Sequence, residues 1–469
     1  MNILSYRGPA TAGGVSTALA RINASYSAST GSGESRQRWW YLDKNSLQTR
    51  SNTDSEIQEV VKIPQKIVQG HYRYCNNFIW PILHDLPQYA TFSREDRALY
   101  QQFNVRFARH FMKATDLRHS GLCFVNDYQL AITSGLLGNS PQLDVILFWH
   151  VPWPKAVSSE SRPYLVEIAE GLLGAVRLGF HTAEYVHNFL AFVHENMPTY
   201  EVDFADQIIL SKVDGSVSTS VIACPLGLDV DFWAKKADAA SPVHKDIDVS
   251  KMVTDSFVLS VDRADYTKGV IERMQAIDLF FAAHPEQKGK VSFVQVCQPS
   301  RTGLPAFDQY WLDASGMGAE LNRRLGTDQW KPVVWIDKPI PPLTLAWLYK
   351  KAATMMINPL RDGLNLTAKE FAVCSQKGAI LLSPEAGVWH ELGSECLPVD
   401  TDSPKQMAGQ IAASLAMSEV DKRSRLNTMK RKLHQNTLTS WWRKFEGGML
   451  ASQTVATIAQ PSIRRRARL

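Results

Sequence analysis

Short runs of apolar, β-branched and aromatic residues alternate along this chain with longer stretches in which apolar residues recur every three or four positions. The short runs predict strands over 2–6, 122–125, 145–149, 178–180, 257–261, 291–296, 333–336, 354–357 and 379–382. The longer stretches predict helices over 16–22, 94–113, 182–194, 269–283, 343–350 and 405–417. The strand runs are apolar almost throughout, as strands buried on both faces are. The pattern therefore reads as βαβ units and parallel sheets covered by helices, an α/β protein. A polar stretch poor in aromatics, KKADAASPVHKDIDVSK over 235–251, separates two such blocks of similar size. It places a linker near 227–256, a first Rossmann-like, doubly wound domain over 1–228 and a second over 229–438. A final segment, 439–469, carries Trp441 and Trp442 and reads as a helix crossing back to the first domain. The Gly/Ser-rich 29–35 reads as a loop.

Composition narrows the function classes. With 469 residues, 45% hydrophobic and 21% charged, the chain has material for two large cores and is not a disordered protein. The formal charge is +5, and Arg464, Arg465, Arg466 and Arg468 supply most of it, so the body is nearly neutral. That argues against a dedicated nucleic-acid binder, and the basic tail reads as a solvated end. The six cysteines are scattered with no C-x-x-C pair, which suits free thiols in a reducing compartment. No run reaches the roughly 18 apolar residues of a membrane span. The opening MNILSYRGP has no apolar h-region, so the expected address is the cytoplasm. Homo-oligomerisation is left open.

Four constellations carry candidate chemistry. RGPATAGG, from Arg7 to Gly14, lies between the first strand and a helix. It is either an ordinary strand–helix turn or a phosphate site made of two glycines, a helix N-terminus and the Arg7 fork. FVLSVDRADYTKG places Arg263 and Lys268 at a strand's carboxyl end, where two cations can straddle a diphosphate or simply pair with Asp262 and Asp265. PLRDGLNLTAKE follows another buried strand. In it Asp362 and Asn365 suit sugar hydroxyls, Leu366 and Thr367 sit at a helix N-terminus suited to phosphate, and Glu370 could hold a ribose diol. His71, Trp80, Asp127 and His150 form the fourth group, each either a core residue or a cleft residue. Asp229 and Asp231, and the pair His187 and His194, lack the context of a metal site.

Taken together, Arg7 with Gly13 and Gly14, Trp80-Pro81, Asp127-Tyr128, His150 in HVPWP, the VDRADYTKG string, Arg301 and PLRDGLNLTAKE resemble the trehalose-6-phosphate synthase family, in family order. That family consists of retaining glucosyltransferases of GT-B fold, two Rossmann-like domains facing a central cleft. The resemblance implies that Gly13, Gly14, Arg263, Lys268, Leu345, Asp362, Leu364, Asn365, Leu366, Thr367 and Glu370 hold a nucleoside-diphosphate glucose. It implies that Arg7, His71, Trp80, Asp127 and Arg301 hold a sugar phosphate. Asp127, His150, Arg263 and Lys268 would then surround the reacting centre, with no metal and no further cofactor. His71 stands where the family usually has tyrosine, and Asn126 where it often has histidine. The expected reaction is transfer of glucose from UDP- or GDP-glucose to glucose 6-phosphate. The alternatives are another phosphorylated acceptor (glycerol 3-phosphate or a cyclitol phosphate) or a non-catalytic nucleotide-sugar sensor.

Overall fold

The computed structural model describes residues 1–9, 18–21, 37–42, 56–115, 121–213, 215–245 and 247–447. Strands β1 (Asn2–Ser5), β2 (Gln37–Leu42), β3 (Glu56–Val61), β4 (Gly121–Asn126), β5 (Leu143–Phe148), β6 (Arg177–Phe180), β7 (Tyr200–Asp203), β8 (Ile208–Ser211) and β9 (Val217–Ala223) form one sheet in the order 3-2-1-4-5-6-9-8-7. Its strands run parallel from β3 to β9, while β8 and β7 add an antiparallel edge that the sequence pattern did not announce. A small hairpin, β10 (Val243–His244) with β11 (Ile247–Asp248), precedes the second sheet. There β12 (Ser256–Ala264), β13 (Val291–Pro299), β14 (Val333–Ile336), β15 (Thr354–Ile357), β16 (Ala379–Leu382) and β17 (Leu397–Pro398) lie in the order 14-13-12-15-16-17, all parallel. Each sheet reverses its strand order beside its own first strand, between β1 and β4 and between β12 and β15. Those reversals open the crevices where doubly wound sheets take ligands, at the strands' carboxyl ends.

The helices cover the sheets for the reason their spacing implies. Helix Arg94–Ala114 buries Leu99, Tyr100, Phe103, Phe107 and Phe111 on one stripe, and the Ser93 hydroxyl caps its start by accepting from Asp96 N–H at 3.2 Å. Each such ring gains about 1.5–3 kcal/mol from burial. The stretch expected to be a linker is more ordered than its polarity suggested. Asp229 caps a helix, Val230–Asp238, whose Val230, Trp233 and Ala237 form a narrow buried stripe. Trp233 meets Tyr349 edge-on at 5.8 Å, which fastens this helix to the second sheet's layer. Asp229 and Asp231 are thus the cap and first turn of that helix.

The chain crosses between the sheets twice at one place. Leu228 pairs with Thr437 as a parallel bridge, and a side chain on Gly227 would overlap the Thr437 carbonyl. After the second crossing, Trp441, Trp442 and Phe445 pack on Phe124 and Phe148 of the first sheet, and the Trp441 indole donates to Cys224 O at 2.9 Å. All six cysteines are buried and free. Among the described residues, no helix is long and apolar enough to cross a membrane.

Candidate active site

The carboxyl ends of the two sheets face each other across a cavity of about 620 Å³. The first sheet lines it with Arg7 after β1, Asp127 and Tyr128 after β4, and His150 after β5. The second lines it with Arg263 and Lys268 at and after the end of β12, Arg301 after β13, and Asp362 to Glu370 after β15. Strand β12 runs three residues past the expected end because β13 pairs with it as far as Ala264↔Pro299. Charged residues are tolerated there because the strand has reached the cavity. Every site residue named from the sequence lines this cavity except Gly13 and Gly14, which lie outside the described residues. Among the described residues, no group of three or more His, Cys, Asp or Glu could hold a metal ion.

On the second-sheet wall the charges are already paired. Lys268 Nζ meets Asp362 Oδ2 at 2.5 Å with both side chains largely buried. Burial alone would raise the Asp362 carboxyl, but Lys268 and the hydrogen bonds from Lys268 and Asn365 hold it below the usual range. Asn365 takes a left-handed φ of 80°, and its carbonyl oxygen caps helix Leu366–Cys374 through Ala368 N–H at 3.3 Å. The first residues of that helix, Leu366 and Thr367, line the cavity, so its N-terminal field faces an incoming anion. One turn on, Glu370 accepts from the Tyr349 hydroxyl at 2.9 Å, and burial pushes its carboxyl up to about 7.

A buried arginine that the sequence did not single out fixes this wall. Arg273 donates to Asp262 at 2.7 Å, Gln295 at 2.9 Å and Asn358 at 2.7 Å, tying β12, β13 and the end of β15 together. Two glycines permit the loops' close approach. Gly269 has φ 64° and lies against the Asn358 carbonyl, and a side chain on Gly363 would overlap the His150 carbonyl of the opposite wall.

On the first-sheet wall, burial works against the charged forms of Asp127 and His150. Asp127 adopts φ 69°, accepts from His150 N–H at 3.2 Å, and is pushed by burial up to about 7. Burial drives the His150 imidazole down to about 3, and neither ring nitrogen has a hydrogen-bond partner among the described residues. Two orphaned polar atoms beside a cavity are what a sugar hydroxyl would satisfy. Trp80 lies under Arg301, whose guanidinium carbon sits 4.0 Å from the ring centroid. Arg301, at φ 48°, also pairs with Asp265, which burial would raise but which Arg301, Arg263 and Lys268 hold well below its ordinary value. Asp127, Arg301 and Asn365 are three of the described non-glycine residues with left-handed backbone, and all three line the cavity. Strain of this kind concentrates at functional sites. Arg263 opens into the cavity from enclosing walls, and that enclosure, with Arg301 and Arg7 nearby, lowers its affinity for its proton.

His71 stands apart from the other named residues. It is 0% exposed, its ring stacks 3.8 Å from Phe103, and its Nε2 lies 2.9 Å from Gln129 O. The residue beside it, Tyr72, is the one in the field of the guanidiniums. Burial raises its phenol, and Arg301, Arg7 and Arg263 each pull it back. At the rim, Arg361 pairs with Asp85 (3.5 Å) and Glu184 (3.1 Å) from the first half and with Glu385 (2.7 Å) from the second, holding the walls together.

Comparisons with known proteins follow this geometry. The family model for glycosyltransferase family 20 matches residues 9–449. A bifunctional trehalose-6-phosphate synthase/phosphatase of Thermoproteus tenax is 31% identical over 412 residues, covering 87% of this chain, which spans 55% of that longer protein. A UDP-forming alpha,alpha-trehalose-phosphate synthase of Pichia angusta is 27% identical, with 87% of each chain covered. The crystal structure of such an enzyme from Burkholderia xenovorans, in complex with glucose 6-phosphate, superposes with a TM-score of 0.85 at 24% identity, covering 96% of this chain and 99% of that one. The fold is GT-B.

Proposed function

The chain belongs to glycosyltransferase family 20, and from that premise we propose that it transfers glucose with retention from a nucleoside-diphosphate glucose, UDP- or GDP-linked, to glucose 6-phosphate, giving trehalose 6-phosphate. One observation carries the reading. Cations reach a single cavity from both sheets, with Arg263, Lys268 and a helix N-terminus on one side and Arg7 opposite, and Arg301 is held between the walls. Such a site answers two separate anions, a diphosphate and a phosphate monoester.

In the proposed reaction the diphosphate lies against Arg263, Lys268 and the start of helix Leu366–Cys374, with the ribose on Glu370 and the nucleobase near Leu345. Asp362, Leu364, Asn365 and Thr367 hold the glucose and its phosphates, and His150 meets the glucose from across the cleft. The acceptor lies on Arg7, Tyr72, Trp80 and Arg301, with Asp127 on its hydroxyls. The acceptor's anomeric hydroxyl attacks the donor's anomeric carbon from the face the diphosphate leaves. The carbon–oxygen bond to the diphosphate breaks, that oxygen carries away the bonding pair, and it takes the acceptor's proton. No carboxylate pair flanking the sugar is needed, unlike in retaining hydrolases. The fixed cations stabilise the charge that grows on the leaving group. Residues 1–228 with the last helix, and residues 229–438, are proposed as the two units whose closure excludes water.

The test is an acceptor panel with product identification, using UDP-glucose and GDP-glucose as donors. Glucose 6-phosphate should win. The reading fails if glycerol 3-phosphate or a cyclitol phosphate exceeds it by roughly tenfold in kcat/KM, about 1.4 kcal/mol. Equal use of unphosphorylated glucose would remove the argument from the guanidiniums.

A further inference from the structure

The helix that begins at Gln65 changes its winding before Trp80. Residues Tyr74–Ile79 form a π-helical segment in which Trp80 N–H reaches Cys75 O, five residues back. Widened turns of this kind recur at functional sites because they turn a side chain out of the regular register. Here the widened turn carries Asn76, which lines the cavity and is 4% exposed. Its Nδ2 donates to Tyr72 O at 2.7 Å, and its Oδ1 accepts from Arg301 Nε at 2.5 Å. The first bond fixes the amide's orientation. With Nδ2 committed to a carbonyl, only the oxygen can face the guanidinium.

We propose that Asn76 is a positioning residue for Arg301. It aims the guanidinium at the phosphate of the acceptor while adding no charge of its own, an inference that rests on the acceptor reading above. Arg301 reaches the cavity from the second sheet, with Nε held by Asn76 and Nη1 by Asp265, and its guanidinium also hydrogen-bonds the Tyr128 phenol. Arg7, Arg263 and Arg301 lie close enough to act together on Tyr72. Arg263 is given to the diphosphate in the proposed reaction, and Asp265 is the carboxylate that Arg301 pairs with, so Arg7 and Arg301 against Asp265 leave one net positive charge for the acceptor's phosphate. An aspartate at 76 would accept the same hydrogen bond but would cancel that charge. An amide is therefore the side chain that can orient Arg301 without neutralising it. The same amide holds the backbone of Tyr72, so one residue orders two members of the acceptor wall.

The experiment compares wild type, Asn76→Asp and Asn76→Ala in the full chain. It reads Tm, acceptor KM for glucose 6-phosphate, the preference for glucose 6-phosphate over glucose, and UDP-glucose affinity. Tm should fall in both variants, because Asn76→Ala loses both hydrogen bonds while Asn76→Asp keeps a partner for Arg301 but sets a carboxylate oxygen against the Tyr72 carbonyl. Acceptor KM should rise most in Asn76→Asp, roughly tenfold or more, and about three- to fivefold in Asn76→Ala, with the loss confined to glucose 6-phosphate rather than glucose and UDP-glucose affinity within twofold throughout. A residue that only braces the π turn would lower Tm with no split between glucose 6-phosphate and glucose, and that result overturns the proposal. Should Asn76→Asp not fold, Asn76→Ala decides alone, because equal losses toward both substrates refute the positioning role. Wild type that does not saturate with glucose 6-phosphate would instead sink the acceptor reading itself.

Discussion

The strand reversal between β12 and β15 and the one between β1 and β4 face the same cavity, yet they prepare their polar groups in opposite ways. Beside β12 and β15, Lys268 sits on Asp362 and Arg273 on Asp262, so charge is present and braced before any ligand arrives, with Glu370, pushed up to about 7 by burial, the one carboxyl of that wall that leans toward its neutral form. Beside β1 and β4, burial drives Asp127 up to about 7 and His150 down to about 3, which brings both toward neutrality. The difference follows what each wall is proposed to meet. A diphosphate brings charge in the ground state and gains more in the transition state, which calls for fixed counter-charge. Sugar hydroxyls bring none, and are better met by uncharged donors and acceptors in a desolvated setting. Arg7 on the first wall and Arg301, a second-sheet cation stacked on that wall's Trp80, are the exceptions, and both are proposed to meet the acceptor's phosphate.

The largest effects should come from breaking the braced wall. Lys268→Ala or Arg263→Ala should each lower kcat by about 10²–10³-fold, as loss of one transition-state donor typically does. Steady-state rates with saturating substrates check this, and near-normal turnover would dissolve the contrast between the walls. Next is Arg301→Ala, which should raise the acceptor KM by about tenfold or more. A hydrogen bond to a charged group contributes roughly 1.5–3 kcal/mol. Nucleotide affinity, measured calorimetrically, should stay put, and Tm should drop because Asp265 is left buried without its cation.

A smaller effect sharpens the donor side. Folded, Glu370 holds its proton up to about 7, against an ordinary 4.5. Its contribution to stability is therefore full below about 4.5 and is lost as pH rises toward 7. A ribose diol donating two hydrogen bonds favours the ionised form, so UDP-glucose affinity should increase a few-fold from pH 6 to 8. Glu370→Gln should flatten that slope, and a slope that survives the substitution would place the titrating group elsewhere. The smallest expected effect is none at all. Turnover should survive exhaustive chelation, because Arg263, Lys268 and a helix N-terminus supply the positive field. Loss with EDTA, restored by Mg²⁺ or Mn²⁺, would mean that the braced wall is incomplete on its own.

How much of this was legible in the sequence depended on where each residue's partners lie. The buried strands β14, β15 and β16 were read to their termini because a strand covered on both faces must be apolar throughout. Strands β2 and β3, QRWWYL and EIQEVV, open on polar residues, and although β2 closes on the four-residue run WWYL, neither was read as a strand. The strings around Arg263, Lys268 and Asp362 stood out because several polar residues crowd a strand's end. Arg273 did not, being one arginine in a helical pattern, with partners that come from two strands and from the residue just past a third. Nor could periodicity separate His71 from Tyr72. The two are neighbours in sequence, but one ring stacks in the core while the other lies among guanidiniums. The winding change that brings Asn76 onto Arg301 has no sequence signature at all.

The double crossing at Leu228 and Thr437 also bears on how the chain is made. The first sheet's strands have all been synthesised by Ala223, yet Phe124 and Phe148 are covered by Trp441, Trp442 and Phe445. More than two hundred residues separate the two, which at roughly 5–20 residues per second is a wait on the order of ten to forty seconds. During that interval a nascent chain presents an uncovered aromatic face. Exposed apolar surface of that kind is what chaperones cover in general, and a ribosome stalled between the crossings would leave a product that cannot hide it.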